Sequence, residues 1–122
     1  MIDFSWSEEQ ELFRQSLQKF ARTELAPNYA RWDRNREFPA EQFQKMAELG
    51  LFGLRISSKY GGLDADCVTA GIAVEEIARG DFNCAMFIMS SGIAAEIIGQ
   101  FGSETQKQSF LPDIASGKKT VS

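Results

Sequence analysis

The chain has 122 residues, 43% of them hydrophobic and 25% charged, enough for one domain with a single core and too apolar for a disordered segment. Its 17 acidic and 13 basic side chains give a net charge of −4, which leaves no basic excess for a nucleic-acid surface. Histidine is absent, so Ser-His-Asp and Cys-His nucleophile pairs, zincins and histidine-ligated metals are excluded within the chain.

Ser7-Glu8-Glu9-Gln10 reads as a capping box, with acids on the positive end of the helix dipole. Phe13, Leu17, Phe20 and Ala21 follow at helical spacing. Pro27 removes a backbone donor and predicts a kink. Leu25, Tyr29 and Trp32 continue the stripe, so a bent helix to Arg34 is expected. Arg31, Arg34 and Arg36 alternate with Asp33 and Glu37 and read as a solvated face.

Pro39 suits a first helical position, and Phe43, Met46 and Ala47 form the next stripe. Gly50 followed by Leu51 predicts a Schellman-type end. The segment from Leu51 to Ile56 is expected to be an extended, buried connector, and Gly61-Gly62 a turn. Asp64 or Asp66 would cap a third helix, with Val68, Ile72, Ala73 and Ile77 inward. Glu75, Glu76 and Arg79 would point outward, and Gly80 would end it.

Asp81 or Asn83 opens a fourth helix, Cys84 to Phe101, whose apolar residues lie nearly all round. That run is about long enough to span a membrane. Its polar and glycine interruptions and its amphipathic neighbours favour a buried central helix and no membrane span. Glu96 on this helix reads as an edge residue reaching solvent. Cys67 and Cys84 match no metal spacing and are expected as buried free thiols. Ser103-Glu104-Thr105-Gln106 is a second capping box, Pro112 should break the last turn, and Gly117 ends the helix. Residues 118–122 read as a strand just starting, which suggests that the chain continues in nature or pairs with another chain. The fold class expected is all-α, an up-down bundle of about five helices in one domain, residues 1–122.

The motifs together resemble the acyl-CoA dehydrogenases. Ser7-Glu8-Glu9-Gln10-Glu11-Leu12-Phe13-Arg14 is similar to their opening helix, and Leu25-Ala26-Pro27, Asp33-Arg34 and Phe38-Pro39 follow in order. Leu49-Gly50-Leu51-Phe52-Gly53-Leu54 and Lys59-Tyr60-Gly61-Gly62-Leu63-Asp64 resemble the family's "LGL-G" and "YGGLG" segments. Val74-Glu75-Glu76-Ile77-Ala78-Arg79 resembles its "EEIAR" helix. Phe101-Gly102-Ser103-Glu104-Thr105-Gln106-Lys107 and Leu111-Pro112-Asp113-Ile114-Ala115-Ser116-Gly117 resemble its "FGTEEQK…YLP-LASG" segment. Ser57-Ser58 stands where the family usually has a proline.

The resemblance covers the family's N-terminal helical domain only. It implies an FAD enzyme that converts an acyl-CoA to a 2-enoyl-CoA and hands electrons to an electron-transferring flavoprotein. A homo-oligomer, tetrameric by resemblance, and a cytoplasmic setting are also expected. The catalytic base and the main flavin contacts would lie in other domains, so no catalytic, cofactor-binding or metal residue is assigned, and the chain alone should be inactive. The helical domain would supply one wall of the acyl pocket from the fourth helix, with Met86, Met89, Ser90 and Ile93 as candidates and Gly92 allowing close approach. Two other readings share these features: a stand-alone helical interaction module, and the same domain of a related flavin oxidase or monooxygenase.

Overall fold

The computed structural model describes residues 1–121. Six α-helices are present, with no strand among the described residues: α1 Glu8–Phe20, α2 Tyr29–Asn35, α3 Ala40–Glu48, α4 Cys67–Gly80, α5 Phe82–Phe101 and α6 Glu104–Ala115. A π-helical turn, Ala21–Leu25, continues α1, and a 3-10 turn spans Ser58–Tyr60.

Both capping boxes form. The Ser7 hydroxyl accepts from the Gln10 amide at 3.1 Å while the Ser7 amide donates to Gln10 Oε1 at 3.0 Å, and Ser103 and Gln106 repeat the exchange. The expected bend takes a specific form. The helix widens before Pro27, with the Ala26 amide reaching back five residues to the Ala21 carbonyl (2.9 Å), and resumes as α2. Pro39 caps α3 from just outside it. The α3 end is a Schellman motif: Gly50 sits at φ +77°, its amide reaches the Ala47 carbonyl, and the Leu51 amide reaches the Met46 carbonyl.

The connector is buried but not extended. Its amides close successive tight turns, Gly53 onto Gly50 and Ile56 onto Gly53, because Gly50 just before it and Gly53 within it favour turning over a lone unpaired strand. Residues 62–65 fold back along it, with the Leu63, Ala65 and Asp64 amides donating to the Gly53, Leu54 and Ile56 carbonyls. This approach is so close that a Cβ on Gly62 would lie against the Ile56 carbonyl oxygen. Asp66, not Asp64, caps α4, accepting from the Thr69 amide at 2.7 Å; Asp64 instead accepts from the Ser58 amide. Asp81, not Asn83, caps α5, which therefore starts at Phe82.

α4 is the hub. It packs on α1, on the π-helical turn and on α5, and α5 packs on α6. Leu17, Ala21 and Leu25 share one core with Ala73 and Ile77, with Cys84, Ala85 and Ile88 of α5, and with Trp32, Met46 and Ala47 of α2 and α3 and Leu51, Phe52 and Leu54 of the connector. Gly80 lets α4 touch the π-helical turn: a Cβ there would lie 2.7 Å from the Ala21 carbonyl oxygen. Ile56, Ala95, Leu111 and Ile114 form a second cluster between the connector, α5 and α6.

Five further expectations are corrected. Val68, in the first turn of α4, is exposed, and Glu76 is buried on the core stripe it shares with Ala73, Ile77 and Gly80. Cys67 is exposed, whereas Cys84 is buried. Pro112 does not break α6, which runs on to Ala115; the Gln108 carbonyl that loses its donor lies on an exposed residue, where water can replace it. Residues 118–121 form no strand, and Ser122 lies outside the described residues.

Candidate functional site

α5 is apolar on every side, yet only Cys84, Ala85, Ile88, Ser91 and Ala95 are buried. Its outer face therefore presents apolar side chains to the surroundings. Met86, Met89 and Ile93 follow at intervals of three and four, so they share that face, with exposures of 37%, 39% and 60%. By length and composition α5 could also cross a membrane; here its inner side packs on α4 and α6.

A groove of about 850 Å³ opens between α4, α5 and the connector. Met89, Gly92 and Ile93 form its α5 side, and Cys67, Gly71 and Val74 its α4 side. Two of the sequence candidates lie elsewhere. Met86, one turn earlier, lines a separate cleft of about 410 Å³ with Trp32 and Phe38. Ser90 is half-buried and lines neither cavity. Gly71 was not anticipated from the sequence, because nothing in the α4 pattern marks it as facing open space.

The groove's charged groups are already paired. Arg55 holds Glu96 through Nη2 at 2.8 Å and Nε at 2.9 Å, and its Nη1 donates to the Ala65 carbonyl at 2.6 Å. Gln100 donates to the other Glu96 oxygen at 3.2 Å. Glu96 is thus a half-buried, ion-paired rim residue. Glu75 pairs with Arg79 at 2.9 Å.

Glu76, next in sequence, turns the other way. It is 2% exposed, its Oε1 lies 3.4 Å from Arg14 on α1, and its Oε2 has no hydrogen-bond partner. Arg14 in turn stacks over Trp6 at 5.5 Å. This cluster ties α1 to α4 away from the groove. Cys84 donates to Asp81 at 3.2 Å, and burial followed by that hydrogen bond pushes its thiol pKa far up, so it stays protonated and unreactive.

Polar groups in the groove are satisfied by one another, and the orphaned Glu76 oxygen lies at the α1–α4 contact. The groove therefore offers a flavin no unpaired charged group. What the groove offers is an apolar wall.

The profile of the acyl-CoA dehydrogenase N-terminal domain matches residues 7–118. The chain belongs to that family. The short-chain-specific acyl-CoA dehydrogenase of Clostridium acetobutylicum is 35% identical over 119 residues, covering 97% of this chain and 31% of that one. The long-chain-specific mitochondrial enzyme of Sus scrofa is 34% identical over 93% of this chain and 26% of its own length. The solved butyryl-CoA dehydrogenase of Megasphaera elsdenii is 31% identical and superposes with a TM-score of 0.87, over 98% of this chain and 32% of that one. The acyl-CoA dehydrogenase N-terminal domain thus spans about a third or less of the relatives it matches.

Proposed function

We propose that this chain is the N-terminal helical domain of an FAD-dependent acyl-CoA dehydrogenase, which oxidises an acyl-CoA thioester to a 2-enoyl-CoA. In this reading the open face of α5 is one wall of the acyl pocket, with Met89, Gly92 and Ile93 as its contact residues in the groove; Met86 and Ser90, which lie outside the groove, are left out of it. The observation that carries it is the apolar groove running along that face in a chain of this family.

This chain's residues bind and position rather than react. Met89 and Ile93 give an alkyl chain an apolar contact surface, which releases water from it. Methionine adapts to a flexible guest. The Arg55–Glu96 pair neutralises the only carboxylate that α5 carries and keeps the wall electrically quiet. The flavin, the proton-abstracting carboxylate and the docking site for an electron-transferring flavoprotein are assigned to the rest of the enzyme, a homo-oligomer.

Gly92→Leu in the full-length enzyme tests the assignment. A Cβ at Gly92 meets nothing within 4 Å, so the fold should tolerate the change. The variant should accept shorter acyl chains than the parent, read as kcat/KM across butyryl-, octanoyl- and palmitoyl-CoA. An unchanged chain-length profile overturns the pocket assignment.

A further inference from the structure

The cleft beside Met86 is chemically unlike the groove. It lies between α2, the α2–α3 loop and the first turns of α5, holds about 410 Å³, and is lined by four aromatic rings, Tyr29, Trp32, Phe38 and Phe87. That size falls within the range of small-molecule sites. Trp32 is buried, whereas Tyr29 and Phe38 stay open at 52% and 57% exposure. The Phe38 and Phe87 rings stand 5.5 Å apart between centroids, so Phe38 is held in place by packing.

The face of an aromatic ring is electron-rich and attracts a cation. Elsewhere in the chain such faces are taken: Arg14 stands over Trp6, Lys59 over Tyr60 and Lys119 over Phe110. Among the described residues, none of the four cleft rings has a cation over it. Charge points the same way. Asp33, Glu37 and Asp81 line the cleft against one guanidinium, Arg36. Glu37 has Arg31 at 3.8 Å, a loose and exposed pair, and Asp33 is in no ion pair among the described residues. The Asp81 oxygens already accept from the Asn83 amide at 3.0 Å and the Cys84 thiol at 3.2 Å, so Asp81 lends charge rather than a vacant acceptor.

A primary ammonium entering the cleft would lose water and need acceptors for three N–H groups. A quaternary ammonium has no N–H to satisfy, and its methyl groups pack on rings and on the Met86 thioether.

We propose that this cleft binds a small quaternary ammonium compound, with Tyr29 and Phe38 as ring walls and Asp33 as the counter-charge. The site is separate from the acyl groove and does not depend on the acyl-CoA dehydrogenase reading above. Arg36 opposes the charge of the ligand, so its removal should strengthen binding.

The test is calorimetric titration of the full-length protein with choline, and with the uncharged alcohol in which a tert-butyl group replaces the trimethylammonium. Choline should bind, and the alcohol should bind more weakly. Phe38→Leu keeps an apolar side chain but removes a ring face, and should weaken choline about two- to fivefold while affecting the alcohol less. Asp33→Asn should weaken choline by a similar factor and leave the alcohol unchanged. Asp33 is exposed on α2, so this variant reads the site even if Phe38→Leu disturbs the packing of Phe38 on Phe43 and Phe87. Arg36→Gln should tighten choline. No choline binding at about 10 mM, equal binding of the alcohol, or an affinity unmoved by both Phe38→Leu and Asp33→Asn overturns the proposal. Weaker choline binding in Arg36→Gln, the behaviour of an anion site, overturns it too.

Discussion

The α1–α4 contact and the α5 face are built from similar apolar residues and end in opposite states. At the first, Leu17, Ala21, Leu25, Ala73 and Ile77 are all sealed, and Gly80 lets the backbones touch. At the second, Met86, Met89, Ile93 and Ile97 stay open, and Gly92 touches nothing. α4 has a polar face for solvent and seals its main apolar stripe inside this chain, leaving Cys67, Gly71 and Val74 to the groove. α5 has apolar surface left over after α4 and α6 are satisfied. A single-face helix completes a domain, while an all-round apolar helix needs a further neighbour.

The largest effect should come from the sealed side. Leu25 is fully buried, and Leu25→Ala should lower stability by about 2–5 kcal/mol through the lost contacts and the cavity left behind. Chemical denaturation reads this directly, and a loss as small as that of a surface substitution would contradict the close packing. Gly80→Ala comes next, at about 1–3 kcal/mol of destabilisation, because the new methyl meets backbone. Gly99→Ala should do the reverse and stabilise by about 0.5–1 kcal/mol, since the same methyl meets open space. Equal effects at the two glycines would erase the distinction between the two regions.

The smallest effect concerns pH. Lys59, then Tyr60, hydrogen-bond Glu104 and hold its carboxyl below the usual glutamate range. Its contribution is therefore present above the unfolded value of about 4.3 and is lost as pH falls through the lowered folded value. Acid titration of stability should be shallower in Glu104→Gln than in the parent, and superimposable curves would remove this pin between the 3-10 turn and α6.

Local chemistry made much of the fold legible. Ser7 with Gln10, Ser103 with Gln106, and Gly50 with Leu51 announce their helix ends because each motif is complete within a few residues. Glu76 was missed because its charge outweighed its position, although 73, 76, 77 and 80 form one helical stripe. Arg14, its partner, stands 62 residues earlier, a separation that no local pattern reveals. The α5 face was readable as apolar. Which cavity each side chain lines was not, since the aromatic residues beside Met86 arrive from the segment around Phe38. Gly71 was invisible for the same reason: open space is a property of neighbours.

The central claim is that the open face of α5 belongs to a larger flavoenzyme. The intact mass of the native polypeptide, taken with its visible absorption spectrum, tests this most directly. The account predicts a mass about three times the 13.6 kDa of this chain, by the share of its relatives that it covers, with flavin absorption in the same species. A colourless native polypeptide of 13.6 kDa would contradict it.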